Sequence, residues 1–294
     1  MIPGDLLDSP DDVRRLLEGT GYLCSSELAT VVFFAMKMHR PLLLEGEPGT
    51  GKTALAEAVA TAWQLPLLRL QCYEGIDSTQ ALYDWDFPRQ ILHLRALEAA
   101  GAVDASAAEK GLYDERFLLS RPVLKALQQA PTVLLVDEVD RADDEFEAFL
   151  LEVLSTYQVS VPELGTVQAV IPPIVVLTSN RTRELHDALK RRCLYHWIEH
   201  PGPERELAIL RSRAPEVPHA LATQVVGVTQ EIRNEVHGLV KPPGVAETLD
   251  WARALKHLGA VELDLKAAAA SLGALVKYRE DAERVHHAIK QILS

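Results

Sequence analysis

Residues 46–53 read Gly46-Glu47-Pro48-Gly49-Thr50-Gly51-Lys52-Thr53, which fits the pattern G-x-x-x-x-G-K-[ST] without a mismatch. Each fixed position has a physical task. The glycines permit tight turns that bring backbone N–H groups close to a phosphate. Lys52 supplies a point charge for the outer phosphates, and the Thr53 hydroxyl can ligate Mg²⁺. The residues expected to hold a nucleotide are therefore Gly46, Glu47, Pro48, Gly49, Thr50, Gly51, Lys52 and Thr53, with Ala54 as the first residue beyond the pattern.

A second group lies further on. Val133-Leu134-Leu135-Val136 is a β-branched and leucine run that ends in Asp137-Glu138. Open α/β sheets place functional residues at the carboxyl ends of their strands. There Asp137 would hold Mg²⁺ through its water shell, and Glu138 would orient or deprotonate an attacking water. Asn180 follows the apolar run Ile174-Val175-Val176-Leu177-Thr178-Ser179. Its amide would reach a γ-phosphate or the water, or else it closes a simple Asx turn. Lys190-Arg191-Arg192 comes after a helical pattern from Glu184 to Leu189. Arg192 or Arg191 would neutralise transition-state charge on a neighbouring subunit's nucleotide, an effect typically worth about 10³–10⁵ in rate. The alternative is a solvated basic helix end favoured by the helix dipole.

These residues need a particular scaffold. Pro41-Leu42-Leu43-Leu44-Glu45 has the apolar run of a buried parallel strand. Ala54 to Trp63 has strong helix formers at helical spacing. The order is strand, glycine-rich loop, helix, so a phosphate would sit at a helix N-terminus. A helix is predicted from Ser25 or Ser26 to Met38, strands at 65–70, 131–136 and 174–178, a helix at 143–156, and a hairpin around Glu163-Leu164-Gly165. Between 71 and 111 the chain is polar and aromatic, with a helical piece at 91–100 and a loop at 102–110. After Pro201-Gly202-Pro203 the strand signal stops and the pattern is helical. The expected organisation is an α/β core with a parallel sheet over 1–200, carrying an insert at about 71–111, and a small helical domain over 201–294.

The chain has 294 residues, 48% of them hydrophobic, and a formal net charge of −12. Residues 201–294 are balanced in charge, so the deficit lies in the first 200. Such a chain lacks the basic footprint of a non-specific nucleic-acid binder. Cys24, Cys72 and Cys193 are widely spaced with no CxxC pattern, which fits free buried thiols in a reducing compartment. The N-terminus shows no signal pattern, and the longest apolar run, Ala29 to Met36, is too short to span a bilayer. A cytoplasmic protein is expected.

Taken together, the phosphate loop, Val136-Asp137-Glu138, Asn180 and the Arg191/Arg192 pair before Leu194-Tyr195-His196-Trp197-Ile198 resemble an AAA+ ATPase. Within that superfamily, Asp137-Glu138-Val139-Asp140-Arg141-Ala142 is similar to the D-E-[IV]-[ND]-R-A stretch of the MoxR group. Gln71-Cys72-Tyr73-Glu74-Gly75-Ile76-Asp77 and the segment from Lys241 to Trp251 look like those of the CoxD-like accessory ATPases of carbon monoxide dehydrogenase. The resemblance spans roughly residues 20–290. It implies a P-loop αβα core with a helical lid, Mg²⁺-dependent hydrolysis of ATP, and a homo-oligomeric ring, expected to be a hexamer. It also implies a partner with a von Willebrand factor A domain and a client metalloenzyme that is remodelled or matured. Asn180 would be the sensor 1 residue. The sensor 2 arginine of the family falls near Ala246, with Lys241 or Arg253 as substitutes. Tyr22 lies where a residue would flank adenine, and Tyr83, Trp85 and Phe87 either face a pore or pack the insert on the core. The remaining alternatives are a DNA-acting motor or loader and a nucleotide-controlled scaffold.

Overall fold

The computed structural model of the chain describes residues 3–99, 111–129, 131–162 and 164–293. The loop expected at 102–110, the last residue of the helical piece expected to reach Ala100, and Glu163 of the expected hairpin turn lie outside these residues. The chain forms two compact units from interleaved segments. One comprises residues 1–13, 26–44 and 59–196, the other 14–25, 45–58 and 197–294.

The first unit is built on a five-stranded parallel sheet flanked by helices. Its strands are β1 (Leu42–Gly46), β2 (Leu67–Gln71), β5 (Val133–Asp137), β8 (Ile174–Ser179) and β9 (Leu194–Ile198), in the order β2-β5-β8-β1-β9. The leucine and valine runs follow from this position, because central strands covered on both faces have no polar side. All five residues of β5 are buried. Register fixes which residues stand side by side at the strand ends. β2 pairs with β5 in parallel so that Gln71 lies opposite Asp137. β5 pairs with β8 so that Val136 lies opposite Leu177. Leu43, Leu134, Val136, Val175, Leu177, Phe146 and Leu150 share one core.

The insert holds more regular structure than its composition suggests. Two helices, Ser78–Leu82 and Phe87–Ala99, flank β3 (Tyr83–Trp85), which pairs antiparallel with β4 (Leu118–Ser120). Tyr83 packs edge-on against Trp85 at 6.1 Å, and Trp85 against Tyr113 at 5.4 Å. Tyr83 also rests on the main core, whereas Phe87 is exposed. The hairpin β6 (Gln158–Val161) and β7 (Gly165–Gln168) follows the helix Asp144–Thr156, which Asp143 caps through the Phe146 amide.

The second unit is mostly helical: Pro203–Arg213, His219–Glu235, Val245–His257, Leu265–Leu275 and Arg279–Ile292. Trp251 is fully buried among Leu221, Val225, Leu255, Leu272 and Val285, and its indole donates to Ser271 at 2.9 Å. A buried ion pair braces the start of the helix Val245–His257. Arg233 donates to both oxygens of Glu206, at 2.6 and 2.7 Å, and to the Pro243 carbonyl. The Thr248 hydroxyl also donates to Glu206. Among the described residues no helix is long and apolar enough to cross a membrane.

Removing one partner of such a pair leaves a buried charge uncompensated. Arg233→Ala should lower unfolding free energy by about 3–5 kcal/mol, read by urea denaturation. Arg233→Met combined with Glu206→Leu should recover most of that loss. A single-variant cost under about 1 kcal/mol would show that Glu206 is solvated.

Candidate functional site

The phosphate loop belongs to the second unit. Buried β1 delivers the chain to Gly46, where a side chain would lie 2.2 Å from the Ile198 carbonyl oxygen. Only glycine fits that approach. Gly49 and Gly51 both take left-handed backbone, at φ +82° and +95°, which turns successive amides inward as an anion nest. The helix Lys52–Ala62 starts directly from the loop, so its unpaired N-terminal amides and dipole point to the same place. Lys52 is buried and its ammonium donates to the carbonyls of Gly46 and Glu47, at 2.7 and 2.8 Å. Thr50 donates to Glu47 O at 2.9 Å. A cradle of amides with a buried lysine at its mouth fits a phosphate group.

Three further contacts of this unit reach the loop. The Val245 amide donates to Gly49 O at 3.1 Å. Gly49 and Gly244 cross so closely that a side chain on Gly244 would lie 2.9 Å from Gly49 Cα. Glu247 accepts from the Gly244 amide at 3.0 Å and pairs with Lys241 at 3.1 Å. Its carboxyl is held below the usual range by the Lys241 and Gly244 bonds against the opposing effect of burial. The Tyr22 hydroxyl lies 3.5 Å from Gly51 O, and burial raises its pKa strongly. Of the residues named for sensor 2, Ala246 is exposed. Arg253 is tied to Glu216 and to Arg213 O, so Lys241 is the cation whose partner stands at the loop.

The acidic strand end belongs to the first unit. Asp137 is 3% exposed. Its Oδ1 accepts from the Thr178 hydroxyl at 2.5 Å, and its Oδ2 from Arg69 at 2.6 Å. Glu138 takes left-handed backbone, φ 55°, which ends the strand and turns its side chain out of the ladder. Its amide donates to Thr178 Oγ1 at 2.9 Å, and its carboxylate accepts from Gln71 at 3.2 Å and pairs with Arg141 at 2.7 Å. The Cys72 thiol is pushed up to about 12, first by burial and then by the field of Asp137, Asp140 and Glu138. A buried carboxylate and a neighbouring hydroxyl suit a hydrated Mg²⁺.

Asn180 lies just beyond β8. Its backbone N–H donates to Asp140 at 3.3 Å, and that buried carboxylate also caps the Thr182 backbone N–H and hydroxyl. The turn carrying Asn180 is thus fixed from beneath by Asp140. Arg191 and Arg192 form the last turn of the helix Asp187–Arg192. This differs from the expectation that they follow a helix ending at Leu189. Buried Glu147 accepts the amide of the N-cap residue His186 at 2.8 Å and anchors the start of this helix. Arg40 donates to the carbonyls of Arg191, Arg192 and Cys193, which caps the helix end. Both arginine side chains are exposed.

Sequence reasoning did not single out Arg69, Gln71 or Thr178. Arg69 and Gln71 are two apart on one strand, so they share a face. That signal becomes readable only once β2 is known to lie beside β5.

A family model described as "AAA domain (dynein-related subfamily)" matches residues 41–193, just over half of the chain. An uncharacterized protein of Staphylococcus haemolyticus is 22% identical over 87% of this chain and 90% of its own length. One from Staphylococcus epidermidis is 22% identical over 74% of this chain and 76% of its own. Among solved structures, a mutant of Thermotoga maritima RuvB matches at 14% identity with a TM-score of 0.51, over 96% of this chain and 75% of that one. It is similar in fold.

Because Thr178 Oγ1 serves both acidic residues, Thr178→Val should cost about 1–3 kcal/mol of stability by leaving the Glu138 amide without its acceptor. Thr178→Ser should retain most of it. Equal denaturation midpoints for valine and wild type would show that the hydroxyl does not hold the strand end. Native Cys72, Cys24 and Cys193, all buried, should resist a thiol-specific reagent at pH 8 and react once urea unfolds the chain.

Proposed function

We propose, from the premise that this chain belongs to the AAA family in its dynein-related subfamily, that it hydrolyses ATP and spends that energy on a protein client. The observation that carries this reading is the intact phosphate loop, with Lys52 buried at its mouth and Gly49 and Gly51 in left-handed backbone. Gly46 through Thr53, with Ala54, bind the phosphates. Thr53 and Asp137 hold Mg²⁺, which lends charge neutralisation to phosphoryl transfer. Glu138 orients and deprotonates the attacking water, and Asn180 assists it. Arg192, or Arg191, acts on the nucleotide of a neighbouring subunit. Two features support that last assignment: both side chains are exposed, and they stand on a helix end whose carbonyls Arg40 has already capped. The division into a core over 1–200 and a lid over 201–294 is part of this reading.

The finer proposal is a homo-oligomeric ring, hexameric, of the MoxR type. It would work with a von Willebrand factor A partner to remodel or mature a metalloenzyme of the molybdenum-containing carbon monoxide dehydrogenase kind. Its support is the resemblance in 71–77, 137–142 and 241–251. Three buried cysteines outside any disulfide support a cytoplasmic location. The RuvB structures include one described as a Holliday junction branch migration motor, which matches at 14% identity. The net charge of −12 argues against carrying DNA binding over to this chain.

Glu138→Gln should bind ATP normally and hydrolyse it at least about 100-fold more slowly, measured by phosphate release. Turnover near wild type would remove Glu138 from the chemistry. Lys52→Ala should lose nucleotide binding in a fluorescent-ATP titration. Rings mixed from wild type and Arg192→Ala should lose more activity than the average of their subunits. A strictly proportional loss would assign the residue a role within its own subunit. Co-purification from the native host should recover a von Willebrand A protein and a molybdenum hydroxylase; recovery of neither would sink the client assignment.

A further inference from the structure

The Asp137 carboxylate is buried, and a buried carboxylate requires compensation. Arg69 supplies a cation at 2.6 Å from Oδ2, the carboxylate oxygen that Thr178 does not use. Arg69 itself is half exposed. The same guanidinium nitrogen bonds Gln71 Oε1 at 2.7 Å, and the other end of that amide bonds Glu138 Oε2 at 3.2 Å. A continuous chain therefore runs from the Asp137 carboxylate through Arg69 and Gln71 to the Glu138 carboxylate. Strand register imposes it: Gln71 stands opposite Asp137, and Arg69 lies two residues back on the same face.

We propose that Arg69 is a positioning residue that competes with Mg²⁺ for the Asp137 carboxylate, so that binding of the ion weakens the Arg69 bond and also loosens Gln71 from Glu138. This rests on the assignment of Asp137 to Mg²⁺ under the proposed function. A guanidinium on one Asp137 oxygen repels a hydrated Mg²⁺ that approaches the same carboxylate. A guanidinium is weakly hydrated and its stem is long, so it suits a buried carboxylate and still has solvent to swing into. Hydrated Mg²⁺ then supplies the charge that Arg69 gave up. Gln71 loses its oxygen-side partner in the same step, and the grip on Glu138 weakens when metal arrives rather than before. Arg141, bonded to Glu138 at 2.7 Å, keeps that carboxylate paired throughout.

The test is binding, measured with a fluorescent ATP analogue on the full chain as Mg²⁺ is titrated, and again in EDTA. Arg69→Ala should lower the half-saturating Mg²⁺ by about three- to five-fold, the size expected from losing a half-exposed ion pair. Arg69→Lys should fall between, because it keeps the positive charge on a more strongly hydrated head that pairs less well with a buried carboxylate. Arg121→Ala, which removes the same charge beside Asp84, should shift nothing. An unchanged or raised Mg²⁺ requirement in Arg69→Ala overturns the inference. So does a loss of binding in EDTA, which would make Arg69 a phosphate ligand. If the wild type fails to bind the analogue with or without Mg²⁺, the ATPase reading falls and takes this one with it. Wild-type binding with a flat Arg69 series sinks only the competition.

Discussion

The Thr178 hydroxyl stands between two acidic residues, donating to Asp137 and accepting from the Glu138 amide. One side chain thereby links the end of β8 to the end of β5 at the point where β5 stops being a strand. Without that acceptor, the Glu138 amide would lose the bond that holds the left-handed turn, a conformation costing of order 1–3 kcal/mol in a non-glycine residue. The contacts of the Glu138 carboxylate presuppose the turn. Gln71 and Arg141 reach the Glu138 carboxylate because its backbone has left the ladder there. Strand register supplies the rest, since parallel pairing fixes which residues of β2 and β8 flank Asp137.

Charge explains why so many polar groups gather there. Residues 137–147 contain seven acidic side chains and only one basic one, Arg141. Three of the seven, Asp137, Asp140 and Glu147, are buried, and each has found a distinct solution. Asp140 is satisfied by amides and a hydroxyl of the turn at 180–182. Glu147 pairs with Arg183 and accepts the His186 amide. Asp137 takes a hydroxyl on one oxygen and, on the other, a guanidinium that has access to solvent. The first two are structural anchors, one placing Asn180 and the other placing the Arg191/Arg192 helix. Asp137 differs in that one of its partners, Arg69, is half exposed.

The parts legible in the sequence were those with strong local signals. Buried apolar runs gave the central strands because a two-sided buried strand has no alternative composition. The loop at 46–53 was legible because glycine and lysine spacing encodes backbone shape directly. What escaped was non-local. The ribbon β3–β4 pairs segments on either side of 87–117, and three-residue strands carry no period to detect. Arg69 looked like an ordinary polar residue in a short strand, and Gln71 like the first residue of the polar stretch after it, until β2 was placed beside β5. The start of the helix Asp187–Arg192 was placed too early, at Glu184, because the contact that anchors its N-cap His186, to Glu147, comes from 39 residues earlier.

In the second unit the loop is constrained from a different direction. Gly49 is left-handed and also passes within contact of Gly244, so two glycines are required by a single crossing. The loop's carbonyl at Gly49 is taken by the first amide of the helix Val245–His257. That leaves the amides of this stretch, rather than its carbonyls, for an anion. The same helix brings Glu247 to the crossing, a carboxylate that a phosphate would repel unless its charge were cancelled. Lys241 cancels it, and Arg233 with Glu206 braces Pro243 and Thr248 on either side. The loop is thus shaped by its own glycines, while its electrostatic fitness for phosphate depends on a lysine nearly two hundred residues downstream. A local pattern match at 46–53 says nothing of that dependence, and it is why the residues around 241–248 help decide what this loop binds.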